Sequence, residues 1–372
     1  MIQIPSDMLP ADGRFGSGPS PIGHGHVRAL DSFGVMGTSH RKPPVKNLVS
    51  QIQEQVCELF SVPEGHRVVL GNGGATLFWS AACASLIRHR SAHAVLGAFS
   101  EKFSKEAAGA PFLADPAIFH ADFGQYRPVA PVADADAYCW PHNETSTGVA
   151  TAVERPEGIS DDALVLIDAT SIAGAIEVNL NGIDAYYFSP QKALASDGGL
   201  WLAVMSPAAL ARATEIESQA GVSGRWIPSI LNVATAARNS EKHQTLNTPA
   251  IATLLLLSQQ LGWILDNGGL QFSAHRCRQS SDTLYSWAEK SDYAHPFVAD
   301  TSLRSPVVAT ITLDDHIDAT ELQKHLTANG IVDISGYRAV GGNQIRVGVF
   351  PTVDPGDVEA LTACIDYVAQ RL

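Results

Sequence analysis

Six short β-rich runs between Arg67 and Met205 constrain the fold most: Arg67–Leu70, Ala92–Leu96, Ala135–Cys139, Ala163–Ile167, Ala185–Phe188 and Leu200–Val204. Several are apolar throughout, as in Leu164-Val165-Leu166-Ile167, and lack the alternation of a strand with one face in water. Such strands need cover on both faces. Helical or loop stretches separate them, so the pattern predicts a mostly parallel central sheet between helical layers. After Thr248-Pro249 the pattern changes. Leu254, Leu257, Leu261 and Ile264 recur at helical spacing until Asn267-Gly268-Gly269 stops them, and a second helix fits Phe272 to Ser291. A strand over Val307–Leu313, a helix over Ala319–Asn329 closed by Gly330, and a strand over Gln344–Phe350 follow. Asp354-Pro355, a cap followed by proline at the first helical position, opens the last helix. The expected architecture is α/β. A large domain covers 13–261, a smaller α/β domain covers 262–372, and segment 1–12 packs nearby.

The charge balance, 25 Lys+Arg against 38 Asp+Glu for a net −13, argues against a surface that coats nucleic acid. A local cluster of arginines can still hold a phosphate or carboxylate inside such a shell. Cys57, Cys83, Cys139, Cys277 and Cys364 lie far apart, with no spacing of a zinc or redox motif, and read as small buried side chains in a reducing compartment. Met1 to Phe15 lacks the apolar stretch of a signal peptide, and the longest apolar run, Leu254 to Leu265, is interrupted by Gln259 and Gln260. The expected location is the cytoplasm, with no membrane or nucleic-acid partner and no metal.

Three constellations carry possible chemistry. Leu70-Gly71-Asn72-Gly73-Gly74-Ala75-Thr76 leaves a strand and opens an Ala-rich helix, where backbone N–H groups and the helix terminus can face a phosphate. It lacks the Lys-Ser/Thr of a P-loop and the third glycine of a dinucleotide fingerprint, so a tight turn without ligand is an equal reading. Asp168 ends the run Leu164–Ile167, at the sheet edge where ligands sit in open α/β folds; capping of the following turn is the alternative. Lys192 follows Ser189-Pro190-Gln191 past another strand, a place where a solvated loop lysine is common. Together the three supply what pyridoxal phosphate requires: an amine for a Schiff base, a carboxylate for the pyridine nitrogen, and donors for the phosphate.

With these residues in place, the chain resembles the fold-type I, class V pyridoxal-phosphate aminotransferases, and within them the phosphoserine aminotransferases, especially their actinobacterial branch. The likeness covers nearly the whole chain. It rests on Phe15-Gly16-Ser17-Gly18-Pro19-Ser20, Gly37-Thr38-Ser39-His40-Arg41, Gly71 to Thr76, His142-Asn143-Glu144-Thr145-Ser146-Thr147-Gly148, Asp168-Ala169-Thr170-Ser171, Pro190-Gln191-Lys192, Asn247-Thr248-Pro249 and Asn343-Gln344-Ile345-Arg346, in that order. The resemblance implies Lys192 as the cofactor-linked lysine and general base and acid, and Asp168 as the partner of the pyridinium nitrogen. It implies Phe99 where the family commonly stacks a tryptophan, and Thr145 beside the ring's 3-oxygen. Gln191, Gly74, Ala75 and Thr76 would lie at the phosphate, with Asn247 and Thr248 reaching it from the neighbouring subunit of a homodimer. Arg346 would take the α-carboxylate, and His40, Arg41 and Arg338 the distal group.

The implied reaction is 3-phosphohydroxypyruvate plus L-glutamate to O-phospho-L-serine plus 2-oxoglutarate, ping-pong through the pyridoxamine form, in serine biosynthesis. A second role on phosphohydroxythreonine in pyridoxal-phosphate biosynthesis is also implied. Two positions depart from the family pattern: Ala193 follows Lys192 where asparagine is usual, and Tyr337 precedes Arg338 where some members have histidine. Among competing readings, a cysteine desulfurase lacks its loop cysteine. An alanine:glyoxylate transaminase has little use for several distal arginines, and a nicotinamide oxidoreductase lacks its fingerprint.

Overall fold

A computed structural model describes residues 1–372, the side chain of His24 apart. In chain order the elements are α1 (His24–Ser32), α2 (Pro43–Leu59), β1 (Arg67–Asn72), α3 (Ala75–Ser85), β2 (Ser91–Val95), α4 (Ala98–Gly109), β3 (Ala117–His120), β4 (Ala137–Pro141), β5 (Asn143–Glu144) and β6 (Val149–Ala150). They continue with β7 (Leu164–Asp168), β8 (Ala185–Phe188), β9 (Leu200–Met205), α5 (Pro207–Ser223), α6 (Val233–Ser240), α7 (Ile251–Asp266) and α8 (Gly269–Lys290). The last are β10 (Ala294–Pro296), β11 (Val308–Leu313), α9 (Ala319–Ala328), β12 (Gln344–Gly348) and α10 (Pro355–Ala369).

Seven strands form one sheet in the order β1-β9-β8-β7-β4-β2-β3, in which only β9 runs against its neighbours. The apolar runs are its middle, and successive residues serve opposite faces. Val165 and Ile167 pack with α2 and α7 on one side, while Leu164 and Leu166 pack with α3, α4, α5 and α6 on the other. That double cover is why these strands carry no polar face. Strand β3, absent from the sequence reading, lies at the sheet edge, is four residues long and alternates between partly buried and exposed positions. The register aligns Pro141 with Asp168 and Asp168 with Tyr187, so β4, β7 and β8 end side by side.

A second core surrounds the antiparallel sheet β10-β11-β12 and helices α9 and α10. Ile4 and Phe15 belong to it, and Ile2 N–H donates to His325 Nδ1 at 2.8 Å, so the first residues pack against this sheet. Helix α7 runs unbroken through residue 261. Ile264 and Cys277 join the core of the large sheet, whereas Leu284, Tyr285 and Ala288 farther along α8 join the second core. One cysteine departs from expectation: Cys57 is exposed on α2, because Ile52, Val56 and Leu59 occupy the inward stripe of that helix. The other four are buried, all five are unpaired, and among the described residues no helix is long and apolar enough to cross a membrane.

Candidate active site

Strand-end residues meet at a cavity of about 150 Å³, lined by Gly74, Ala75, Thr76, Phe99, Thr145, Asp168, Gln191 and Lys192 together with Trp79, Pro141, Asn143, Thr170 and Ser171. Larger hollows exist, such as one of about 560 Å³ between Glu177, Arg278, Asp282 and Arg304, but they hold no comparable set of groups.

Lys192 Nζ donates to Thr145 Oγ1 at 3.0 Å and stands 5.1 Å from the Phe99 ring centroid. Burial brings its pKa down to about 8; Asp168 opposes this shift and Arg346 adds to it. Gly18 explains part of the Phe15–Ser20 motif. Its φ of +131° suits glycine, and a Cβ there would come within 2.7 Å of Lys192 Cε. Ser20 N–H in turn donates to the Gln191 carbonyl at 2.8 Å, so this segment is fastened across the lysine turn.

Asp168 accepts at Oδ1 from the Thr170 amide, 2.9 Å, and at Oδ2 from Trp79 Nε1, 3.0 Å. The turn-capping role is therefore present alongside any functional one. Burial raises the Asp168 pKa, and the Thr170 and Trp79 bonds and nearby Lys192 counter the rise. Trp79 belongs to none of the three constellations of the sequence. Its signal is a tryptophan four residues after Ala75 on a buried helix face, whose N–H needs an acceptor.

Glu144, fully buried, sets the direction of Phe99. Its carboxylate accepts from the amides of Phe99 (3.3 Å) and Ser100 (2.9 Å) at the start of α4, while Ser146 Oγ accepts from Ala98 N–H at 2.9 Å. A carboxylate at a helix N-terminus is favourable, and this one joins the α4 start to the Asn143–Gly148 segment. His142 packs instead of reaching the cavity: Nδ1 lies 3.0 Å from Tyr186 Oη, and burial lowers its pKa to about 3.

The residues present fit pyridoxal phosphate. The first amides of α3, at Ala75 and Thr76, have no intrahelical acceptor and carry the positive end of the helix dipole. Gly74 has an ordinary backbone conformation, and a Cβ there would meet only Ser189 Oγ at 3.5 Å, so the chain itself does not demand glycine at this point. The buried Asn143 Oδ1 and Gln191 Oε1 have no partner within the protein. An aromatic face, a carboxylate, an amine and an anion cradle thus surround one space.

The residues expected at the substrate, and Asn247 and Thr248, expected at the cofactor phosphate from a neighbouring subunit, divide into two groups. Arg346, on β12, donates through Nη1 to the Thr145 carbonyl at 2.8 Å, keeps a buried, unpartnered Nε, and lies 5.1 Å over the Tyr337 ring. His40, Arg41, Asn247 and Thr248 do not line the cavity. His40 and Thr248 pair, with Thr248 Oγ1 3.1 Å from His40 Nδ1, while Asn247 N–H donates to Asn72 Oδ1 at 3.1 Å and Arg41 Nη1 donates to Gln244 Oε1 at 3.1 Å. Arg338 is exposed and makes no side-chain hydrogen bond or ion pair among the described residues.

Comparison with known proteins agrees. The family model for class-V aminotransferases matches residues 134–361. A phosphoserine aminotransferase from Nocardioides sp. is 54% identical over 376 aligned residues, spanning 100% of this chain and 99% of that protein. Among solved structures, a phosphoserine aminotransferase from Cytophaga hutchinsonii superposes with a TM-score of 0.85 at 23% identity, covering 96% of this chain and 98% of that one. An aspartate aminotransferase from Thermus thermophilus gives 0.81 at 21%, covering 97% and 99%. Likeness at that identity speaks for the fold, which serves more than one amino acid. The chain belongs to the class-V aminotransferases, whose cofactor is pyridoxal phosphate, and within them to the phosphoserine aminotransferases.

Proposed function

We propose that the chain interconverts 3-phosphohydroxypyruvate and L-glutamate with O-phospho-L-serine and 2-oxoglutarate, in serine biosynthesis. The observation that carries this reading is the convergence of Lys192, Asp168 and the amides of Ala75 and Thr76 on one cavity, with the guanidinium of Arg346 beside it. Lys192, Asp168, Phe99, Gln191 and the amides of Ala75 and Thr76 would hold pyridoxal phosphate, which would supply an aldehyde for the substrate amine and an electron sink for the Cα bond.

The chain's own groups do the rest. Lys192 Nζ, with a pKa near 8 and oriented by Thr145 Oγ1, can take the proton from the substrate Cα at near-neutral pH and deliver it again. Asp168, fixed by Trp79 and Thr170, holds negative charge against the pyridine nitrogen. Phe99 offers its face to the ring, and Gln191 joins the helix amides around the phosphate. Arg346 takes the α-carboxylate through its planar fork.

We further assign His40, Arg41, Asn247 and Thr248 to the site of a second copy of the chain. Arg41, Asn247 and Thr248 are exposed, and none of the four lines its own cavity, as expected of residues given to a neighbour. His40, Arg41 and Arg338 would then hold the substrate's distal phosphate or γ-carboxylate. Incubating the holoenzyme with O-phospho-L-serine and 2-oxoglutarate should yield glutamate with the parallel-line kinetics of a ping-pong enzyme. Turnover of alanine or aspartate with none of phosphoserine would replace the substrate while leaving the fold and Lys192 in place.

A further inference from the structure

We propose that Lys102 is a further specificity-determining residue, a cation on α4 that receives the phosphate of a phosphorylated amino acid while Tyr337 holds it in place. The inference rests on the substrate reading given above. Lys102 Nζ donates to Tyr337 Oη at 3.3 Å and lies 4.9 Å from the Phe99 ring centroid, so it spans from the large-sheet core to the loop before β12. Phe99 lines the cavity, stands 5.1 Å from Lys192 Nζ, and packs at 5.6 Å against Tyr337. Lys102 is itself exposed and outside the cavity lining, and Phe99 and Tyr337 connect its ammonium to the cavity.

Its partners are the second observation. Lys105, one turn on, pairs with Glu101 at 2.6 Å, whereas Lys102 makes no ion pair among the described residues and has only a neutral hydroxyl and an aromatic face. Tyr337 carries Arg346 over its ring and Lys102 at its hydroxyl, so one side chain holds two cations apart. A substrate with an anion at each end suits that arrangement, the carboxylate to Arg346 and the phosphate to Lys102. A phosphate dianion has more to gain from an additional ammonium than the single charge of a γ-carboxylate.

Steady-state kinetics of the Lys102→Met holoenzyme test this, with calorimetric binding of phosphoglycolate as a readout independent of turnover. The expected result is a KM for O-phospho-L-serine raised about tenfold or more, a kcat within about twofold, and a smaller change in the KM for glutamate. Phosphoglycolate affinity should fall by a similar factor, Lys102→Arg should recover most of the loss, and Tyr337→Phe should show a weaker version of it. Phosphoserine kinetics and phosphoglycolate binding unchanged in Lys102→Met, beside an active wild type, would overturn the proposal alone and leave Lys102 a solvated surface lysine. Equal losses for phosphoserine and glutamate would overturn its claim to specificity. A wild type inert toward phosphoserine would overturn the substrate reading, and this proposal with it.

Discussion

The floor of the cavity and the residues expected at the substrate's far end are built in opposite ways. On the floor Asp168 and Lys192, and at the start of α4 the fully buried Glu144, are each tied to partners in the same chain by hydrogen bonds near 3 Å. At the far end, Arg41 and Arg338 are exposed, and Arg338 has no polar partner among the described residues; Asn247 and Thr248, expected at the cofactor phosphate of a neighbouring copy, are exposed as well. A cofactor site must fix charges before any substrate arrives, because preorganised dipoles act without reorganising during the reaction. A recognition site can be completed by a second subunit and by the substrate's own charge. On the proposed assignment, one chain holds the reacting groups and a second copy completes the recognition of substrate and cofactor phosphate.

The largest effect that would break this contrast is on the floor. Asp168→Asn keeps the shape and the Trp79 contact but loses the charge, and kcat should drop by roughly 10²–10³ with the cofactor still bound, read by turnover and visible absorbance. A fall of less than about tenfold would show that the ring nitrogen does not depend on this carboxylate.

Next comes the division between subunits. A Lys192→Ala chain and an Arg41→Ala, Thr248→Ala chain should each be nearly inactive. Unfolded and reassembled together, they should recover up to about a quarter of wild-type turnover, since half of the dimers are hybrids with one intact site. No recovery in verified hybrids would place Arg41 and Thr248 in their own chain's site.

Smaller effects sharpen the picture. Trp79→Phe removes one donor from Asp168 and should lower kcat about three- to tenfold, with the cofactor absorbance shifted in its pH dependence. The Lys192 amine supplies the smallest test. Its pKa lies near 8, below the range of a free lysine, so at neutral pH roughly a tenth of the amine is uncharged and the fraction grows steeply up to pH 8. The uptake rate of pyridoxal phosphate by cofactor-free protein should rise with pH and level off above about 8. A rate still climbing past pH 10 would mean that burial does not act on this lysine.

The strand-end residues were legible in the sequence because the physics that places them is local. A continuously apolar run implies a covered strand, and the first polar residue after it must emerge at the sheet edge, as Asp168 does after Ile167 and Lys192 does after the turn that follows Phe188. What escaped depends on long-range contact. Trp79 meets Asp168 across 89 positions, Lys102 meets Tyr337 across 235, and His40 meets Thr248 across 208. No periodicity encodes such pairs. Strand β3 escaped for a different reason, since an edge strand of four residues carries too short an alternation to stand out from a loop. Glu144 lies within a motif that was read for Thr145, and its cap on α4 became visible only when the α4 start was seen against it.

The most direct test is the visible spectrum of the purified protein during a titration. The wild type should show an absorbance band from bound pyridoxal phosphate that O-phospho-L-serine removes and 2-oxoglutarate restores, while Lys192→Ala should lose that cycle. A protein that takes up no cofactor, or a Lys192→Ala variant that cycles like wild type, would contradict the assignment of this cavity.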